Sequence, residues 1–240
     1  MRTFIIATAI ALFIVPMPTA RAEETPETML LTIFLKHDQT KNLEEIQSNL
    51  TKNRFYDTFP PAGTSVVEWN VVMGIGQILV LELPVAKLDE VKKKLIQTTA
   101  NGFSTDTFVS ENLYPQIVER LANRSKLATD AKPSDPGTLM MTVILKPNPG
   151  RRKSAAGLVA RQKLYENFPP PGSSVISWYE AKGLGEIVSL AFPCALLRTV
   201  NLSLEKFGWK AYSTQFYASY DFYPVASETF KLRNKSKKTL

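Results

Sequence analysis

One stretch of this chain occurs twice, and that repeat limits the folds open to it. Phe55–Pro84 (FYDTFPPAGTSVVEWNVVMGIGQILVLELP) aligns without a gap with Leu164–Pro193 (LYENFPPPGSSVISWYEAKGLGEIVSLAFP). Tyr56, Pro60, Pro61, Gly63, Trp69, Gly74, Gly76 and Pro84 return as Tyr165, Pro169, Pro170, Gly172, Trp178, Gly183, Gly185 and Pro193. A spacing of roughly 110 residues is too long for a solenoid repeat and suits a whole small domain. The chain therefore reads as two related domains in tandem, residues 23–120 and 138–230, with a linker at 121–137 and a basic tail at 231–240.

The first 22 residues stand apart. Met1-Arg2 is followed by an apolar run from Phe4 to Val15 and an exit through Pro16, Pro18, Ala20 and Ala22. A basic start, a short apolar run and an A-x-A exit are the parts of a secretory signal peptide, with the cut expected after Ala22. Pro16 and Pro18 break the run before it reaches the length of a membrane span. The expected location is periplasmic or secreted, with no transmembrane segment after cleavage. The only cysteine, Cys194, follows Pro193 in an apolar context and reads as a buried, inert thiol.

Each half has the same order of elements. Met29–Lys36 alternates as a strand, with Leu31, Ile33 and Leu35 on one face and Thr32, Phe34 and Lys36 on the other. Leu43–Tyr56 reads as an amphipathic helix, and the Pro60-Pro61-Ala62-Gly63 run ends helical structure. Ser65–Val72 and Gln77–Leu83 form a hairpin about Gly74-Ile75-Gly76. A helix over Pro84–Thr99 and a strand over Phe103–Leu113 complete the unit. The second half repeats this from Leu139–Lys146 to Trp209–Tyr220.

The order β-α-β-β-α-β is that of a ferredoxin-like plait, an antiparallel sheet with helices on one face. Its other face here carries Phe34 and Ile144, and an exposed apolar sheet face is an association surface. The expected fold class is α+β: two tandem ferredoxin-like plaits packed sheet to sheet as an intrachain α+β barrel.

With its duplication and strand order, the chain resembles the dimeric α+β barrel superfamily, some members of which are fused tandems. The F-P-P-x-G, W and G-x-G pattern is similar to that of small exported bacterial proteins of no assigned activity. The superfamily includes muconolactone-isomerase-like proteins, antibiotic-biosynthesis monooxygenases, chlorite dismutases and dye-decolourising peroxidases. The resemblance implies the barrel and leaves the chemistry open.

Several chemistries do not suit the residues. Gly74-Ile75-Gly76 leads into a strand, whereas the dinucleotide fingerprint leads into a helix. The third strands lack the aromatics on which RNA-binding plaits stack bases, so nucleic acid is not an expected partner. The one histidine, His37, ends the first strand beside Asp38, while haem-binding members of the superfamily use a histidine ligand; a lone loop histidine reads as solvated or capping. No set of three zinc ligands and no G-x-S-x-G elbow is present in the sequence. The expected cofactor set is none, and no metal is expected.

The candidate ligand-pocket residues are Thr32, Lys36, Trp69, Thr142, Lys146 and Trp178. The threonines and lysines would project between the sheets or at their mouth, while the tryptophans, like Tyr56 and Tyr165, recur and serve equally as shared core. The expected partner is a small polar or aromatic ligand. The basic C-terminal tail offers weak contact with an anionic surface. Two functional readings follow: a non-catalytic small-molecule binding or structural protein, and a cofactor-free isomerase or monooxygenase-like enzyme. A titratable group with a displaced pKa inside a pocket separates them.

Overall fold

The computed structural model describes residues 27–122, 131–150 and 154–228. The expected signal peptide, the basic tail and part of the expected linker lie outside them. The first half runs β1 (Thr28–His37), α1 (Leu43–Lys52), α2 (Phe55–Thr58), β2 (Ser65–Val72), β3 (Gly76–Pro84), α3 (Leu88–Thr99), β4 (Phe103–Asn112) and α4 (Tyr114–Ala122). The second runs β5 (Thr138–Pro147), α5 (Ala155–Asn167), β6 (Ser174–Ala181), β7 (Gly185–Pro193), α6 (Leu197–Phe207) and β8 (Tyr212–Asp221). Residues 223–228 are helical as well.

Local chemistry sets these boundaries. Asn42 caps α1 by accepting from the Glu45 amide at 2.8 Å, and Ser154 caps α5 by accepting from the Gly157 amide at 3.1 Å. The single helix expected over Leu43–Tyr56 is broken at Arg54, whose φ of 55° is left-handed. Gly76 and Gly185, with φ of 134° and 139°, each lie where a Cβ would run into the carbonyl oxygen of the neighbouring strand, Leu35 or Leu145. This close backbone approach explains why the second glycine of each Gly-x-Gly recurs.

The strands do not form two stacked sheets. They close into one barrel in the order β1-β3-β2-β8-β5-β7-β6-β4. This corrects the expected fold class of two plaits packed sheet to sheet. The halves meet edge to edge: Asn70, Val71 and Val72 of β2 pair with Asp221, Tyr220 and Ser219 of β8, and Ser110, Glu111 and Asn112 of β4 pair with Ala181, Glu180 and Tyr179 of β6. The physical reason lies in the strand edges. Four twisted strands leave two rows of unpaired backbone groups, and pairing each row with the other half satisfies those at the seams.

Closure creates an inside and an outside. Leu31, Ile33 and Leu35 face the helices, while Phe34, Val72, Ile78, Ile144, Ala181 and Ile187 form an apolar layer across the lumen. The connecting segments also clasp the halves together. Leu113, Tyr114, Ile117 and Leu121, at or in α4, pack on the outer core of the second half. Phe222 and Ala226 pack reciprocally on the outer core of the first, with the Phe222 ring 5.7 Å from Trp69. Cys194, expected to be buried, is exposed in the turn before α6.

A shared barrel and crossed clasps leave neither half a complete core. Equilibrium urea unfolding is expected to show one transition, coincident by fluorescence and circular dichroism. Ile117→Ala, at a buried position on the clasp, should lower stability by about 2–4 kcal/mol without splitting that transition.

Candidate functional site

One mouth of the barrel is an open cleft of about 470 Å³. β1 and β5 both end there, bringing Lys36 and Lys146 to the same rim with His37. The inner wall is apolar: Phe34, Phe108 and Ile144 from the strands, with Ile75 and Leu184 from the two hairpins. Phe108 meets Phe34 edge-on with ring centroids 5.7 Å apart.

The rim is not symmetric. Lys36 is ion-paired with Asp106 of β4. The register sets Asp106 opposite Phe34 and Gln215 of β8 opposite Ile144, so the second half has an amide at the position where the first has the carboxylate. Among the described residues Lys146 takes part in no ion pair. Burial holds the His37 imidazole below its usual 6.5, and its ring stacks on Phe103 with centroids 5.2 Å apart.

Thr32 and Thr142 point into the lumen, as their alternation implies, but each is already bonded. Thr32 Oγ1 lies 2.7 Å from Ser110 Oγ, and Thr142 Oγ1 donates to Ser219 Oγ at 3.0 Å. They serve as buried cross-strand ties. Trp69 and Trp178, both 0% exposed, lie on the helix side of the wall, away from the mouth. Lys36 and Lys146 are thus the two sequence candidates that the fold brings together in an open site.

Each tryptophan instead serves a buried polar group. Trp69 Nε1 donates to Gln77 Oε1 at 2.7 Å, and Tyr56 is also hydrogen-bonded to that amide. In the second half the acceptor is Glu186, 4% exposed. Trp178 Nε1 donates to its Oε2 at 2.7 Å, Tyr165 donates to Oε1 at 2.6 Å, and Tyr212 donates to the same oxygen. Burial, then the neighbouring carboxylate, pushes both phenols well above their ordinary 10.0, so they remain protonated donors. Burial raises Glu186 itself above 4.5, opposed by these three donors and by the charge of Arg161. A difference readable in the sequence marks the site: Glu186 stands where the first half has Gln77, and Tyr212 where it has Phe103.

A second carboxyl, Glu68, reaches into the lumen. A bulge in β2 between Val66 and Glu68 breaks the alternation there, so Val66 packs toward the helices while Glu68 turns inward. Asn70 and Ser189 both donate to its Oε1, Ser189 at 2.8 Å. Burial pushes this carboxyl above 4.5, and the nearby Ser177, Ser189, Asn70 and Tyr179 groups oppose the shift. Sequence reading missed Glu68 because the bulge leaves no mark in composition or spacing.

The residues do not fit a haem. The single histidine is stacked on Phe103 at the rim, and the sheet-to-helix layers are filled by Trp69, Phe55 and Phe59 in one half and Trp178, Phe168 and Phe192 in the other. Among the described residues no group of three metal-ligating side chains occurs, and no helix is long and apolar enough to cross a membrane.

No family model matches the chain, and no curated protein matches it. Solved structures do. A variant of chlorite dismutase from Candidatus Nitrospira defluvii superposes with a TM-score of 0.50 at 8% identity, covering 86% of this chain and 97% of that one. A second dismutase variant from that organism, in complex with cyanide, gives 0.49 at 7% identity over 86% and 96%. A monooxygenase-like protein from Lactobacillus acidophilus gives 0.38 at 10% identity over 81% and 93%. At 8% identity the likeness to the first of these is one of fold.

The two raised carboxyls set a pH dependence. Between 4.5 and each folded pKa the native state keeps a proton that the unfolded chain has released. The stability each contributes is therefore fully present below 4.5 and declines as pH rises through that window. Glu186→Gln, which copies the Gln77 arrangement, should flatten part of this slope. Urea midpoints measured across a pH series give the comparison.

Proposed function

We propose that this chain binds a small organic anion, a carboxylate with an apolar body, at the barrel mouth. The observation that carries the reading is the convergence of Lys36 and Lys146, from matching strands of the two halves, on one cleft with an apolar wall. Such a cleft suits a molecule with a charged head and a greasy body, because a few placed polar groups fix orientation while apolar contact supplies affinity. With Lys36 held by Asp106, Lys146 is the anchor for the head group. The second reading is a cofactor-free isomerase or monooxygenase-like enzyme of this barrel type. It draws on His37, whose burial keeps the imidazole neutral and able to accept a proton.

Calorimetric titration with benzoate and hexanoate tests the binding reading; Trp69 and Trp178 sit in the outer cores and do not line the mouth. Lys146→Met should weaken binding about tenfold, the loss of one charge-assisted contact, and Lys36→Met by less. Affinity should fall with added salt, since the rim is open to solvent. Binding that is absent in the wild type, or unchanged in Lys146→Met, would sink the proposal.

The same reading places the mature protein outside the cytoplasm, on the strength of the leader pattern in Met1–Ala22. Intact-mass measurement of the protein from periplasm and medium should find a chain beginning at Glu23.

A further inference from the structure

The seams join the halves over only a few residue pairs, so part of each seam strand runs on without a neighbour. On β8 the pairing with β2 ends at Ser219, and the Met73 amide follows it by donating to the Ala218 carbonyl at 2.9 Å. Alternate residues of a strand turn their backbone groups to the same edge, so Phe216 and Thr214 present theirs on that side as well. Among the described residues no strand pairs with them there.

The fringe of this edge is apolar. Met73 stands at one end, and Trp209 at the other donates its indole N–H to Thr214 Oγ1 at 2.9 Å; both side chains are exposed. Between them Phe216 forms a groove of about 440 Å³ with Met141 of β5 and with Leu197 and Val200 of α6. Arg198 lines the same groove, and among the described residues it takes part in no ion pair.

The matching edge of β4 is built differently. Lys182 replaces Met73 at the end of that seam, donating its amide to the Val109 carbonyl at 2.8 Å and pairing its charge with Glu111 and Glu180. Ala100, Thr107 and Asp89 stand where the second half has Trp209, Phe216 and Arg198. Charge beside an open edge guards it against another strand, and the β8 edge lacks that guard. A second copy of this chain paired through β8 would bring Arg198 no carboxylate, because Tyr212–Ala218 (YSTQFYA) contains no acid.

We propose that the β8 edge takes up an extended peptide that carries an acidic residue. The peptide backbone adds a strand beside Thr214 and Phe216. On its outward face an apolar side chain enters the groove and a carboxylate meets Arg198. This site lies on the helix side of the sheet and stands whether or not the mouth binds anions.

The test uses the full chain, isotope-labelled at nitrogen, with the peptide acetyl-VTVTD-amide, whose valines and aspartate share one face. Acetyl-VTVTN-amide lacks the charge, and a form with alternate backbone amides N-methylated cannot add a strand. The Thr214 and Phe216 amide resonances should move saturably with the acidic peptide, and their protons should exchange more slowly. The N-methylated form should leave them still. Loss of the peptide's charge should weaken binding about fivefold, the upper end for an exposed ion pair, and Arg198→Gln should do the same. Both changes together should cost no more than either alone. Lys146→Met should change nothing, and Thr105 and Thr107 of β4 should not respond. An equal response at Thr105 and Thr107, equal effects of the parent and N-methylated peptides, or no movement at all would overturn the proposal. So would resonances that move with protein concentration alone, which would assign the edge to a second copy of the chain.

Discussion

Two seams of three residue pairs each hold the structure in its form. β2 meets β8, and β4 meets β6, along lengths far shorter than the strands themselves. These few pairs join all four edges at once, so the inner faces of both halves lose their water together. Every polar side chain facing inward must then find a partner inside. Thr32 with Ser110 and Thr142 with Ser219 do so in matched positions of the two halves. Backbone closure and polar pairing are one requirement, since a gap at either seam would hydrate the pairs that the lumen shelters.

The crossed clasps follow from the same geometry. A strand that ends at a seam emerges over the other half, and the chain after it continues there. Leu113 donates its amide to the Trp178 carbonyl, and Phe222 donates to that of Trp69, each at 2.8 Å. α4 therefore covers the second half, and the helix at 223–228 covers the first. This contact adds helix-on-sheet burial to seams that have few hydrogen bonds of their own.

Elements with strong periodicity were legible in the sequence. Alternation in Met29–Lys36 placed Phe34 and Lys36 on the inner face, and the two Gly-x-Gly turns located both hairpins. The mode of closure was not legible, because an apolar inner face satisfies stacked sheets and a barrel equally well, and edge pairing leaves no pattern in side-chain identity. The break at Arg54 was hidden for a related reason: apolar spacing continues through Phe55 into α2, although the backbone turns left-handed. Recurrence of Trp69 and Trp178 showed only that the position matters. Their burial against Gln77 and Glu186 depends on which face each strand turns outward, and that face was assignable only with the barrel in hand.

The halves differ where they are polar more than where they are apolar. Phe59 and Phe168, Leu79 and Val188, and Leu95 and Leu204 do the same packing in each core. Against that sameness, the first half's Gln77, Phe103, Glu68, Asn70 and Asp106 are replaced at the matching positions of the second by Glu186, Tyr212, Ser177, Tyr179 and Gln215. Packing alone would be served by repeating these residues too, because an identical pair of halves closes the same barrel. A buried acid set among neutral donors costs stability that its neutral counterpart would not. The carboxyl of Glu68, with no acid at the matching place in the second half, and the change from Asp106 to Gln215 make the interior uneven, with two lysines at the rim and a carboxyl deeper in.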